Sequence, residues 1–237
     1  MKKILRVLAA TVLGIFLLSG SAMAIPMQDV LNNITVGGHS SVNAETDALL
    51  DGNDAYWSIT GSGISAATII IELAGYANQN VLGIYDKNDS SKIVQLFDGS
   101  ASAGSQATVS IKADGSVYVN SNDSNVNFAG NAFGYYLTSP NETYYSDTSL
   151  NPENVPYDHM WAYQGKNIDT VQLPGLQPGL WTDREYVLAF EDQVGGGDGD
   201  HDDMVFMVES VNPVPEPATL ILLGLGLMGI GIARRKR

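Results

Sequence analysis

The last 24 residues determine which part of this chain can form a water-soluble domain. Val214-Pro215-Glu216-Pro217 precedes an almost unbroken apolar run, Ala218 to Ala233, and four cations, Arg234 to Arg237, follow that run. The run would form a helix of about 24 Å, slightly shorter than the roughly 30 Å hydrocarbon core of a bilayer. Because terminal cations stay on the cytoplasmic side, everything before Val214 is expected on the opposite side of the membrane.

The first 24 residues have the three parts of a secretory signal peptide. Lys2, Lys3 and Arg6 make the start of the chain positive, and an apolar run follows from Val7 to Leu18. Ala22-Met23-Ala24 then supplies the small residues, Ala22 and Ala24, that a signal peptidase requires. The sequence therefore predicts a signal peptide over residues 1–24 and a mature chain that begins at Ile25.

The C-terminal segment resembles the PEP-CTERM sorting signal of Gram-negative bacteria. Pro215-Glu216-Pro217, an apolar helix containing several glycines and a basic end occur in the order typical of that signal. The resemblance implies that these three residues are the processing motif, and that an exosortase, a membrane-embedded cysteine peptidase, cuts near them. It also implies transient anchoring to the inner membrane with the body in the periplasm, followed by release to the cell surface or to an exopolysaccharide matrix. An ordinary single-span anchor is the alternative.

The segment between the two targeting signals is strongly acidic and contains no cysteine. Residues 25–213 carry five basic and 25 acidic residues, which leaves a net charge of about −20. Nucleic acid and anionic lipid are therefore excluded as partners, because both would be repelled. Since disulfides are absent, the exported body must be held by its core, by strand pairing or by metal ions.

The body shows the pattern of an all-β domain. Apolar and β-branched runs occur at Ala67 to Leu73, Val81 to Tyr85, Ile93 to Phe97, Ala107 to Ile111, Val117 to Val119, Phe133 to Leu137, Tyr186 to Phe190 and Met204 to Val208. Turn-rich pieces separate them. Short strands at this spacing, with no 3.6-residue periodicity, predict an antiparallel β-sandwich or jelly-roll-like fold over residues 25–213.

Two parts of the body fit the strand pattern less well. Ile25 to Asp51 is expected to be a short lead-in with one strand at most. Asn151 to Gly179 contains four prolines and isolated aromatic residues. This composition predicts long ordered loops rather than a second domain.

One stretch concentrates most of the candidate chemistry. Six carboxylates lie within thirteen residues: Glu191, Asp192, Asp198, Asp200, Asp202 and Asp203. A predicted strand lies on each side, and three consecutive glycines, 195–197, lie in the middle. Carboxylates so close repel each other unless a cation lies among them or the side chains spread into water. Calcium prefers six to eight oxygen ligands in flexible geometry, so all six acids are candidate calcium ligands.

The acids and the three histidines also allow other interpretations. A glycine-rich hairpin with solvated acids remains an alternative to a cation site. An EF-hand is rejected, because Asp203 replaces its sixth-position glycine and a strand would carry Glu209 about 20 Å away from Asp203. The spacing of His39, His159 and His201 argues against zinc, because it contains no short ligand pair.

The acidic stretch also resembles the end of a domain of unknown function that is common in exported bacterial proteins. Its pattern is matched by Phe190-Glu191-Asp192, by Gly195 to Asp198 with Asp200, and by Asp203-Met204-Val205. Earlier matching pieces extend the resemblance from about Trp57 to Val208. The family commonly has an aromatic residue at the position of His201, so a role for this histidine is in doubt. The resemblance implies a β-rich, calcium-stabilised extracellular module without known catalysis.

Three functions remain compatible with the sequence. The favoured one is a non-catalytic surface or extracellular-matrix protein that is sorted through its tail. The second is a carbohydrate-binding module that grips exopolysaccharide, for which a set of aromatic residues would form the platform: Trp57, Trp161, Trp181, Tyr135 and Tyr136. The third is an extracellular glycoside hydrolase, which requires a cleft with a protonated carboxyl group.

Overall fold

A computed structural model of the protein describes residues 25–49, 51–72, 78–152 and 157–214. The predicted signal peptide, with Ala22 and Ala24, and the predicted tail, with Pro215, Glu216 and Pro217, lie outside these ranges. Within them, no helix combines the length and the apolar character needed to cross a bilayer.

The first sheet has six antiparallel strands. They are β1 (Trp57–Ile59), β3 (Val81–Asp86), β4 (Asp89–Phe97), β8 (Ala132–Thr138), β9 (Thr143–Tyr145) and β15 (Val211–Pro213). Their order is β15-β1-β8-β3-β4, and β9 pairs with β8 beside this path. A two-residue turn joins β3 to β4, as the turn residues at 86–89 predict.

The second sheet has seven antiparallel strands in the order β10-β13-β14-β2-β5-β6-β7. They are β2 (Ser65–Glu72), β5 (Gln106–Ile111), β6 (Ser116–Val119), β7 (Asn122–Asn127), β10 (Met160–Gln164), β13 (Glu185–Phe190) and β14 (Met204–Glu209). A separate hairpin consists of β11 (Thr170–Val171) and β12 (Gly179–Leu180).

The main hydrophobic core lies between the two sheets. Side chains from both sheets contribute to one buried cluster, including Leu82 and Phe133 from the first and Leu188 and Phe206 from the second. Trp57 of the first sheet also contacts Tyr186 of the second with ring centroids 4.7 Å apart. This packing confirms the predicted antiparallel β-sandwich.

The outer face of the second sheet is covered by a short helix, α1 (Met27–Ile34). Its buried residues, among them Leu31, pack against Val187, Val205 and Met207 of β13 and β14. Residues 25–49 contain no strand, which agrees with the expectation of one strand at most, but the helix was not predicted. The helix has only two turns, and Pro26 precedes it without a side-chain cap, so the sequence gives few of the usual indications of a helix start.

The eight predicted strands are all present, with ends shifted by a few residues. The prediction of loops over Asn151 to Gly179 is wrong at β10, which forms five residue pairs with β13 at the edge of the second sheet. The alternation of Met160, Ala162 and their neighbours is too short to stand out from the prolines and glycines around it.

Candidate metal centre

The pairing of β13 with β14 places the acidic stretch at one end of the sandwich. Phe190, the last residue of β13, pairs with Met204, the first residue of β14. Glu191 and Asp192 continue beyond β13, and Asp203 precedes β14, so antiparallel pairing brings the three acids together. The N–H of Asp192 donates to Asp203 Oδ2 over 2.9 Å.

Glycines allow the loop between these strands to fold over the acids. Gly195, Gly196, Gly197 and Gly199 all have positive φ, where a side chain would cause strain. A Cβ on Gly197 would lie 2.4 Å from Glu191 Oε1, so any other residue here would displace the Glu191 carboxylate. The loop is thus shaped around Glu191.

Glu191 is the centre of two groups of carboxylates. In the first group, carboxylate oxygens of Glu191, Asp192 and Asp203 lie within 4.8 Å of one another. In the second group, carboxylate oxygens of Glu191, Asp198 and Asp200 lie within the same distance of one another. Two oxygens bound to one Ca²⁺ at 2.3 to 2.6 Å lie at most about 5 Å apart, so either spacing suits a shared calcium ion. The first group is buried, whereas Asp198 is exposed and Asp200 is half-buried.

The carboxylate of Glu191 lacks the partners that burial requires. Glu191 is 0 % exposed, and neither of its oxygens has a hydrogen-bond donor among the described residues. Asp192 Oδ1 and Asp200 Oδ2 are also buried and also have no hydrogen-bond partner among the described residues. Burying ionised oxygens without donors is costly, whereas a bound cation removes that cost.

The pKa values of these acids reflect the same crowding. Burial, followed by the adjacent Asp203 carboxyl, raises the pKa of Glu191 to about 9. Burial raises the pKa of Asp203 to about 7, and it also raises the pKa of Asp192. Without a cation the cluster would therefore hold protons near neutral pH, and a divalent ion would displace them.

Asp202 differs from the other five acids. It belongs to neither group, and its Oδ2 instead accepts a hydrogen bond from the backbone nitrogen of Ile25 over 2.5 Å. Burial raises the pKa of Asp202 to about 6. The structure thus groups four of the predicted acids with Glu191 and places the sixth, Asp202, beside Ile25, the predicted start of the mature chain.

Two oxygen-bearing residues near the cluster were not identified from the sequence. Asn80 Nδ2 donates to Asp192 Oδ2 over 2.8 Å, while its Oδ1 is buried and has no donor in the described part of the chain. Burial, followed by the charge of Asp192, raises the pKa of Glu72 to about 8. Amide oxygens are common calcium ligands, but 112 positions separate Asn80 from Asp192, so no local pattern connects them.

The histidines and aromatic residues have mainly structural surroundings. His201 is buried and stacks on Trp161 at 3.9 Å, and its Nε2 lies 3.0 Å from the carbonyl oxygen of Asp158. Of the proposed sugar platform, Trp57 and Trp181 are 0 % exposed, and Tyr135 and Tyr136 are 2 % exposed. These four cannot stack on a glycan, so packing is the correct interpretation, and Trp161 alone is half-buried.

The fold and the site together define an antiparallel β-sandwich module with a buried carboxylate cluster where two neighbouring strands meet. Residues 213–237 match the PEP-CTERM protein-sorting motif, so the chain carries this exosortase-recognised tail and is an exported protein processed at the membrane. Residues 101–211 match the domain of unknown function DUF4114, which begins later than the resemblance from Trp57 suggested. No curated protein and no solved structure matches the chain.

Proposed function

We propose that the chain is a non-catalytic surface or extracellular-matrix protein whose body is stabilised by calcium. Its signal peptide is removed after Ala24, and its tail is cut by an exosortase near Pro215-Glu216-Pro217. The observation that carries the calcium assignment is Glu191, a fully buried carboxylate that has no hydrogen-bond donor in the described part of the chain and that belongs to two groups of acids. In a chain with no cysteine, a calcium ion at this position would take the role that disulfides have in other exported domains.

The burial of Glu191 argues against the two simpler interpretations of the cluster. A solvated hairpin would leave its acids in water, yet Asp192 and Asp203 are buried together with Glu191. A glycosidase needs a protonated carboxyl group that can reach a glycosidic oxygen. The raised pKa of Glu191 would keep its carboxyl group protonated. However, a side chain that is 0 % exposed cannot reach a glycosidic oxygen.

Carbohydrate binding remains the second candidate because of one cavity. Trp161, Gly199 and Asp200 line a space of about 510 Å³ together with Glu45 and residues at the start of α1. An aromatic ring beside carboxylates is a usual composition for a sugar subsite. Since His201 already stacks on Trp161, one face of that ring is not available to a sugar.

Thermal melting of the exported protein tests the calcium site. A ligand in hundredfold excess over its Kd stabilises the folded state by about 2.7 kcal/mol. For a domain of this size, that corresponds to a rise in Tm of about 5 °C or more in millimolar calcium relative to chelator. Asp198→Asn combined with Asp200→Asn should remove the calcium-dependent rise.

Asp89→Asn combined with Asp98→Asn is the matched control. Both residues are exposed turn aspartates, so this variant loses the same two charges and should keep the rise. Asp86, at the other end of the turn that Asp89 closes, is unsuitable, because it is buried and accepts from the N–H groups of Asn88 and Ala129. Equal melting with calcium and with chelator would refute the calcium site, and calcium-dependent binding on a glycan array would favour the carbohydrate module.

A further inference from the structure

The first described residue of the body contacts the acidic stretch near its end. The 2.5 Å contact between the Ile25 nitrogen and Asp202 Oδ2 joins positions 177 residues apart. Asp202 is 4 % exposed, and a carboxylate buried to this degree requires a hydrogen-bonding or charged partner.

Ile25 is held in this position by α1. Its side chain packs against the apolar cluster that α1 forms with the second sheet. The carbonyl of the next residue, Pro26, accepts the first helical hydrogen bonds, from Asp29 over 2.7 Å and from Val30 over 3.3 Å. The described chain therefore fixes the Ile25 nitrogen from its C-terminal side, independently of the leader.

The basic residues of the body either contact other groups or lie away from Asp202. Lys166 pairs with Asp47, and Lys92 donates to the carbonyl of Asn127. Lys87 lies over the ring of Tyr56, and Lys112 lies over the ring of Tyr118. Arg184 precedes β13, at the end of that strand opposite the acids. Within the described ranges, Asp202 thus has no lysine or arginine partner.

We propose that removal of the leader converts this contact into an ion pair between the α-ammonium group of Ile25 and Asp202. Hydrolysis breaks the Ala24–Ile25 peptide bond with one water molecule, leaves a carboxylate on Ala24 and frees an amine that takes up a proton. The Ile25 nitrogen then changes from a neutral donor with one N–H into a cation with three. The new N-terminus supplies the positive charge that Asp202 lacks and fastens α1 to the acidic loop. This inference rests on the proposed cleavage after Ala24.

An insertion in the precursor tests the ion pair in the exported protein. One alanine added between Ala24 and Ile25 keeps the Ala22-Met23-Ala24 cleavage site and displaces the new ammonium group by about 3.8 Å. The insertion should lower the Tm by about 5 °C, because it separates a buried charge from its partner. Together with Asp202→Asn, the same insertion should have little further effect, as expected for two changes that remove one interaction.

Two outcomes would overturn the inference, and they are distinguishable from a failure of its premise. An equal loss from the insertion with and without Asp202→Asn would indicate steric disturbance. If Asp202→Asn does not fold, the reaction of the N-terminal amine with limiting acylating reagent provides a second test. The paired amine of Ile25 in the unaltered protein should react more slowly than the amine of the added alanine in the insertion variant. Equal rates would refute the ion pair. Mass analysis that finds a start other than Ile25 would instead refute the cleavage site.

Discussion

At the scale of single residues, a second buried carboxylate should make stability depend on pH. Asp54 is 0 % exposed, and neither carboxylate oxygen has a donor among the described residues. Burial, followed by the charge of Asp158, raises the pKa of Asp54 to about 8. The folded protein therefore keeps this proton up to about pH 8, whereas the unfolded chain releases it near pH 4. Because the unfolded state binds fewer protons between these values, stability falls as the pH rises through this window.

Asp54→Asn should remove this loss. We expect the variant to exceed the unaltered protein in stability by roughly 2 to 4 kcal/mol at pH 8 and to match it near pH 4, both measured in chelator. Asp114→Asn is the control, since the N–H of Ser116 lowers the pKa of exposed Asp114 and no gain at pH 8 is expected. A gain of equal size at both pH values would contradict the assignment.

The candidate site shows which functional residues a sequence pattern can predict and which it cannot. The six acids were found because they are close in the sequence, and five of them do surround one point in the structure. Asn80 and Asp54 were missed because only the fold brings them to buried positions. The separate role of Asp202 was missed for the same reason, since its partner nitrogen lies at the other end of the body.

At the scale of elements, the prediction found eight of the fifteen strands in the described ranges, and it missed β10 because prolines and glycines surround its short apolar run. It failed for β11 and β12, which have two residues each and are too short to show alternation. It also failed for α1, because eight residues contain little more than two helical turns. The burial of α1 comes from the sheet beneath it, a tertiary feature that local propensity does not report.

The contribution of α1 can be measured with one pair of variants. Leu31 is 0 % exposed and packs in the cluster between α1 and the second sheet. Leu31→Ala should lower the free energy of unfolding by about 2 to 5 kcal/mol, through lost burial and the cavity that remains. Asn33→Ala, on the exposed side of the same helix, should change it by at most about 0.5 kcal/mol in denaturant titration. A small effect at Leu31 would show that the helix is not part of the cooperative fold.

At the scale of the whole molecule, the sorting motif predicts two sizes of product. Glu216→Ala should leave a larger, membrane-bound form, because the apolar run still inserts while the processing motif is lost. Glu142→Ala, an exposed change in the body, should be processed normally. Intact-mass analysis of membrane and released fractions from the host distinguishes the unprocessed from the processed product. A sole product ending at Arg237 in the unaltered protein would show that the tail acts only as an anchor.

Strand β15 gives the body a defined mechanical weak point. Among the described strands, β15 pairs only with β1 at the edge of the first sheet. The N–H of Val211 also donates to the carbonyl of Arg184 over 3.4 Å, and that of the next residue after β15, Val214, donates to the carbonyl of Tyr56 over 2.7 Å. A force on the tail therefore reaches the body through this short ladder, whose last residue, Pro213, is the first residue that matches the sorting motif. We expect the pairs between β15 and β1 to separate first at Pro213 and last at Val211. This separation should expose the buried side chain of Val211 before any other pair of strands separates. Force on the tail would thus separate β15 from β1 while the other strands of the sandwich stay paired.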